Sequence, residues 1–169
     1  MPYSEADSAQ HLRDVSIHEI GHAFAALSRS DAVMVELKLD QLYHLPHHKI
    51  WDGRVHVRVL DNDKFLDSVY GWSGIMGEAI DQNADNAVDL ALERYRNQRQ
   101  TVSDTDLVQI ECVPEEIQLR SSRAAYESLL EKWGEIKDIQ SRVIKLIEGR
   151  KLDALGFGWM KADGWMGLE

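Results

Sequence analysis

His18-Glu19-Ile20-Gly21-His22 is a five-residue stretch whose residue types and spacing suit metal chemistry. On an α-helix each residue advances by about 100°, so two histidines four apart stand one above the other and both imidazoles can reach one ion. Glu19 sits at the edge of that face, where its carboxylate can take a proton from a water activated by the ion. The spacing is that of a zinc hydrolase. A chain with this His and Glu content would produce it by chance with a probability of about 0.02, so composition alone does not account for it.

Two histidines leave a catalytic zinc site one protein ligand short, since three are needed beside the position kept for water. The metzincin extension would place glycine at 25 and histidine at 28; those positions hold Ala25 and Ser28, which excludes that class. Glu78 stands where a glutamate from a second helix would complete a thermolysin-like set. The acidic run Ser103-Asp104-Thr105-Asp106-Leu107 offers two aspartates, Asp104 and Asp106, each competing with simple helix capping. His44, His47 and His48 form a further cluster, read more readily as a solvated loop than as a second metal site.

The elements that must position these residues are partly visible. Leu12, Val15, Ile20, Ala23, Phe24 and Leu27 recur at helical spacing, which predicts a helix over about 8–28 carrying the motif. Val33, Val35, Leu37 and Leu39 alternate with Met34, Glu36, Lys38 and Asp40, and Val55, Val57 and Val59 alternate with Arg54, His56 and Arg58. Period two predicts two half-buried strands, paired antiparallel across a connection or loop at 41–53. The strand Val33 to Leu39 is expected to offer its edge to an extended substrate.

Asp61-Asn62-Asp63 reads as a cap for a helix running through Phe65 and Trp72 towards Leu90 or Tyr95. Its Gly71, Gly74 and Gly77 each cost about 1 kcal/mol against alanine, and close approach to another helix is the expected reason. Residues 94–101 read as a loop, followed by a short helix through Leu107 and Cys112 capped by Ser103 or Asp104. Pro114 begins a helix reaching Trp133, and Gly134 is expected to separate it from a last helix through Ile147. Residues 152–169 form a Gly- and Trp-rich tail without a clean period, its tryptophans expected to pack onto the domain or a partner chain. The fold class is therefore α+β and mainly helical: the motif helix beside a small antiparallel hairpin or sheet, then a helical bundle.

The chain has 169 residues, 44% of them hydrophobic, which suits one domain. A net charge of −10 argues against nucleic acid or an anionic membrane surface as partner. A single cysteine, Cys112, fits a reducing compartment, and the acidic N-terminus has no secretory pattern, so a cytoplasmic location is expected. No apolar run reaches the ~20 residues that cross a bilayer.

Val15-Ser16-Ile17-His18-Glu19-Ile20-Gly21-His22-Ala23 resembles the His-Glu-Ala-Gly-His-Ala segment of the peptidase domain of FtsH, a membrane-bound AAA+ zinc metalloprotease family. In that family β-structure follows, then a helix with a Gly-Arg-Ala-Ala-Glu core, then a Ser-Asn-Asp-Leu-like segment whose aspartate is the third zinc ligand. Gly74-Ile75-Met76-Gly77-Glu78 and Ser103-Asp104-Thr105-Asp106-Leu107 occupy those places in the same order. The resemblance implies zinc held by His18, His22 and Asp106, with Glu19 as general base. Glu78 is then a residue that orients a histidine, and Asp104 a cap or outer support of the site.

The chain holds no Gly-x-x-x-x-Gly-Lys-Ser/Thr loop, so what is implied is a stand-alone FtsH-like metallopeptidase domain over 1–169, acting on polypeptide, with room for a separate unfoldase or regulator and for a homo-oligomer. Two other readings compete: a dedicated regulatory metallopeptidase of the ImmA/IrrE kind, and a non-catalytic metal-binding scaffold.

Overall fold

A computed structural model describes residues 5–45 and 48–169, with side chains at 7–42 and 50–169. Helix α1 (Glu5–Leu27) is followed by strands β1 (Ala32–Leu45) and β2 (His48–Val59) and by helix α2 (Lys64–Asn83). After a 3₁₀ turn at Ala84–Asn86 come α3 (Ala87–Asn97), a second 3₁₀ turn at Arg99–Thr101, α4 (Asp104–Ile110), α5 (Glu115–Glu131) and α6 (Trp133–Arg150). The chain ends in strands β3 (Ala154–Met160) and β4 (Gly164–Met166). The architecture is α+β and mainly helical, as the patterning predicts.

Period two in β1 has the expected consequence: Val35, Leu37 and Leu39 are buried against α1, while Glu36 and Lys38 are exposed on the opposite face. The sheet is antiparallel with order β2-β1-β3-β4. This overturns one expectation: β1 is central, flanked on both sides, so the edge beside the helices belongs to β2.

The tail supplies the unexpected half of the sheet. Leu155, Phe157 and Trp159 pair with Leu39, Leu37 and Val35, so the tail does alternate, with Gly156 and Gly158 on the outward positions where polar residues would have marked a strand. Trp165 stacks on Phe24, with ring centroids 5.8 Å apart, which fixes the tail to α1.

Helix α2 is the hub. Asp63 caps it, its side chain accepting from the Leu66 N–H. Of residues 68–80, only Tyr70 and Glu78 are not buried. The helix stops at Asn83, where the 3₁₀ turn breaks the single long helix expected to reach Leu90 or Tyr95. The run 94–101 is correspondingly less of a loop: α3 continues to Asn97 and the second 3₁₀ turn follows. The break between α5 and α6 falls at Lys132 rather than Gly134. Among the described residues no helix is long and apolar enough to cross a membrane.

Candidate metal centre

The crossing of α1 over α2 is unusually close because glycines meet backbone. A Cβ at position 21 would lie 2.5 Å from the Ser73 carbonyl oxygen, and one at 77 would lie 3.0 Å from that of Ile17. Gly71 does the same for α4, since a Cβ there would lie 2.7 Å from Ile110 N and 3.0 Å from Asp106 O. Between them, a Cβ at Gly74 would sit 2.5 Å from His22 Nε2 and collide with His18 Nε2. The glycines recurring every third residue thus let the histidine-bearing helix and the aspartate-bearing helix close on one point of α2.

Each imidazole is aimed by its Nδ1. That of His22 donates to the Tyr70 carbonyl oxygen at 2.8 Å, and that of His18 lies 2.5 Å from Glu78 Oε1. A carbonyl can only accept, so His22 carries a proton on Nδ1, which leaves Nε2 as the ring nitrogen that can bind a metal. The two Nε2 atoms are 3.2 Å apart, and Asp106 faces both, Oδ2 at 3.1 Å from His18 and Oδ1 at 3.2 Å from His22. Among the described residues, His18, His22 and Asp106 are the group of side chains placed to share one metal ion. A tetrahedral ion with bonds of about 2.0–2.1 Å has ligand atoms about 3.3 Å apart; the 3.2 Å between the two Nε2 atoms matches that spacing, and one Asp106 oxygen faces each ring. Two nitrogen lone pairs and a carboxylate facing one another repel unless a proton or a metal cation lies among them, so the cluster has to hold one or the other.

The electrostatics agree. Burial acts to lower the His18 pKa, but hydrogen bonds to Asp106 and Glu78 and the charges of Glu78 and Glu19 outweigh it and raise it to about 10. Without a metal, the His18 imidazolium is the cation of the cluster. Burial pushes Asp106 up, yet hydrogen bonds and charge from the two histidines hold it well below the usual carboxylate range. Glu78 is depressed in the same way, burial being overcome by His18 and Arg94. Glu19 goes upward: burial raises it, the histidines only partly oppose this, and Asp106 and Asp52 push the same way. Tyr70 is also raised, by burial and by Glu19 and Asp106, so its phenol keeps its proton.

These groups open into a cleft of about 730 Å³. One wall is β2, with Gly53 against Glu19: a Cβ at 53 would lie 2.9 Å from Glu19 Oε1. Asp106 is reached because Ser103 caps α4, its Oγ accepting from the Asp106 N–H at 3.1 Å. That corrects the expectation for Asp104, which is exposed on the first turn, neither cap nor support of the cluster. Asp106 is 5% exposed and faces the histidines. Glu78 does contact His18. The candidate second cluster, His44, His47 and His48, lies outside the residues whose side chains are described.

Three contributors escaped the sequence reading. Tyr70 lies four residues before Gly74 and eight before Glu78, so stepping along one face of α2 would have found it. Gly53 had only its position in a loop-like stretch, and nothing marked Arg94. No protein-family model matches the chain, and no curated protein matches it.

Proposed function

We propose that the chain is a zinc-dependent peptidase, with His18, His22 and Asp106 as the ligands and Glu19 as general base. The observation that carries this reading is the convergence of the three ligand atoms beside a carboxylate of raised pKa, at the foot of a strand edge. Two imidazoles and one carboxylate suit zinc better than magnesium or calcium, which take oxygen ligands. A zinc ion held there would supply Lewis acidity, lowering the pKa of a bound water to about 7 and polarising a carbonyl.

The remaining work falls to the chain itself. Glu19 accepts the proton of the attacking water and returns it to the leaving amine; a pKa raised by burial suits both halves of that task. Tyr70 lines the cleft as a protonated phenol able to donate to a substrate oxygen.

Substrate is positioned by β2. Trp51 pairs with Gln41, yet the Gln41 N–H goes to Asp153 O and the Trp51 N–H to His11 Nδ1, so main-chain groups at this pair face away from each other. Two-residue periodicity then turns the N–H and C=O of Gly53, Val55 and Val57 to the outer edge, where an extended polypeptide can add as a strand. Such binding reads backbone more than side chains, hence weak sequence selectivity.

The test is Glu19→Gln on denatured casein. Turnover is expected to fall by about 10²–10⁴-fold with zinc content unchanged. Cleavage at the parental rate would remove Glu19 from the mechanism, and failure of the zinc-loaded parent to cut any polypeptide would remove the peptidase reading.

A further inference from the structure

Arg94 stands in the cleft wall, outside every motif, and all three of its guanidinium nitrogens are engaged. Nη1 donates to Glu78 Oε2 at 2.7 Å, Nε to Thr101 Oγ1 at 3.0 Å and Nη2 to the Thr101 carbonyl oxygen at 2.9 Å. The first bond leads to one metal ligand, because the other oxygen of the same carboxylate, Oε1, holds His18 Nδ1. The second and third lead to another: Thr101 ends the 3₁₀ turn two residues before Ser103, whose Oγ caps α4 at the Asp106 N–H. Val102, between them, is buried, so the link is short and held.

We infer that Arg94 is the positioning residue of the metal centre, a single planar fork that sets the His18 ring through Glu78 and the approach of Asp106 through Thr101. The inference rests on the metal-site reading and adds a residue and a role to it. A guanidinium is suited to this because its donors lie in one rigid plane and point to two elements at once, whereas a lysine ammonium offers a point charge. Glu78 alone would leave His18 oriented by a carboxylate free to rotate. With Arg94 in place both carboxylate oxygens are committed, and α2, α3 and the start of α4 are locked around the ligands. The role predicts an effect on metal affinity and ligand geometry, which a bridge serving only stability would not have.

The experiment is Co²⁺ titration of the metal-free full chain, read by the visible d–d absorption of the bound ion, on the parent, Arg94→Ala, Arg94→Met and Glu78→Gln. Circular dichroism establishes that each variant is folded; Arg94→Met keeps the packing of the stem should alanine not fold. Outer partners of metal ligands are typically worth 10–100-fold in affinity, and a loss of that size with an altered d–d band is expected for Arg94→Ala and Arg94→Met. Added methylguanidinium is expected to restore part of the affinity of Arg94→Ala. Thr101→Val, which loses one of the three bonds and keeps the carbonyl contact, is expected to lose less than Arg94→Ala. A folded Arg94 variant with parental affinity and spectrum, beside a Glu78→Gln that loses both, overturns the role of Arg94 and leaves the metal site standing. A parent chain that binds no Co²⁺ overturns the metal reading, and this inference with it.

Discussion

Two clusters of charged side chains join α1 to its neighbours, and they balance partly buried carboxylates in opposite ways. At the end of α1, Arg29 is 8% exposed, with Nε 3.1 Å from Asp31 Oδ1 and Nη1 3.1 Å from Asp67 Oδ1; Asp31 Oδ2 in turn accepts from the Asp61 N–H at 2.9 Å. Ten residues before Arg29, Glu19 gathers with Glu78 and Asp106 around two imidazoles and Arg94. The first cluster is closed by a guanidinium that never gives up its charge, so it can only be a structural clamp. The second relies on a histidine, which can release its proton and accept a metal ion instead. Acids between helices do not by themselves mark a metal site; on the proposed reading, what marks one is a cation that can be exchanged.

The sharpest way to break this contrast is to remove a ligand. Asp106→Ala is expected to abolish stoichiometric zinc binding, measured by metal analysis after dialysis, while Asp104→Ala leaves it intact. Equal loss in both would place the carboxylate ligand wrongly. Gly53→Ala is the next largest: the added methyl must displace Glu19, and a misplaced base costs about 10²-fold. Its kcat should fall while zinc content holds.

Arg29→Ala tests the other cluster. Losing the shared cation of Asp31 and Asp67 is expected to lower the urea unfolding midpoint, by less than the loss of a fully buried pair because both carboxylates reach solvent in part. Metal affinity should not change.

The smallest expected effect is that of pH. Metal binding requires neutral His18, and below its pKa of about 10 each ion bound displaces its proton. Affinity should therefore rise about tenfold per unit from that group between pH 6.5 and 8.5. Stability of the metal-free chain moves the other way: a raised histidine pKa stabilises fully below the unfolded value of about 6.5 and is lost as pH climbs towards 10. For Asp31, held low chiefly by its hydrogen bond from Arg29, stability is present above about pH 4 and lost on acidification through the folded value. The Arg29 clamp should thus be indifferent between pH 6 and 8, where the histidine cluster responds. Metal-free stability that is flat across this range would remove the proposed exchange.

How much of this could be read in advance follows the range of the interactions. The helix of His18 and His22, the alternation of β1 and β2 and the cap at Asp63 arise from residues within a few positions of each other. The tail was illegible because Gly156 and Gly158 occupy the outward positions whose polarity would have announced a strand. The glycines of α2 asked for a close neighbour, but not for which: α1 at Gly77, the imidazoles at Gly74 and α4 at Gly71.

By itself the sequence determined that two imidazoles and a carboxylate share one helical face, since that is a matter of 3.6 residues per turn, and it put Glu78, Asp104 and Asp106 forward as downstream acids without choosing among them. Tertiary structure alone decided that Asp106 and not Asp104 turns inward, that β2 and not β1 is the edge beside Glu19, and that Tyr70, Gly53 and Arg94 complete the site. These depend on contacts between elements tens of residues apart, where local propensity is silent and only the close packing of α1 and α4 against one glycine-lined helix chooses.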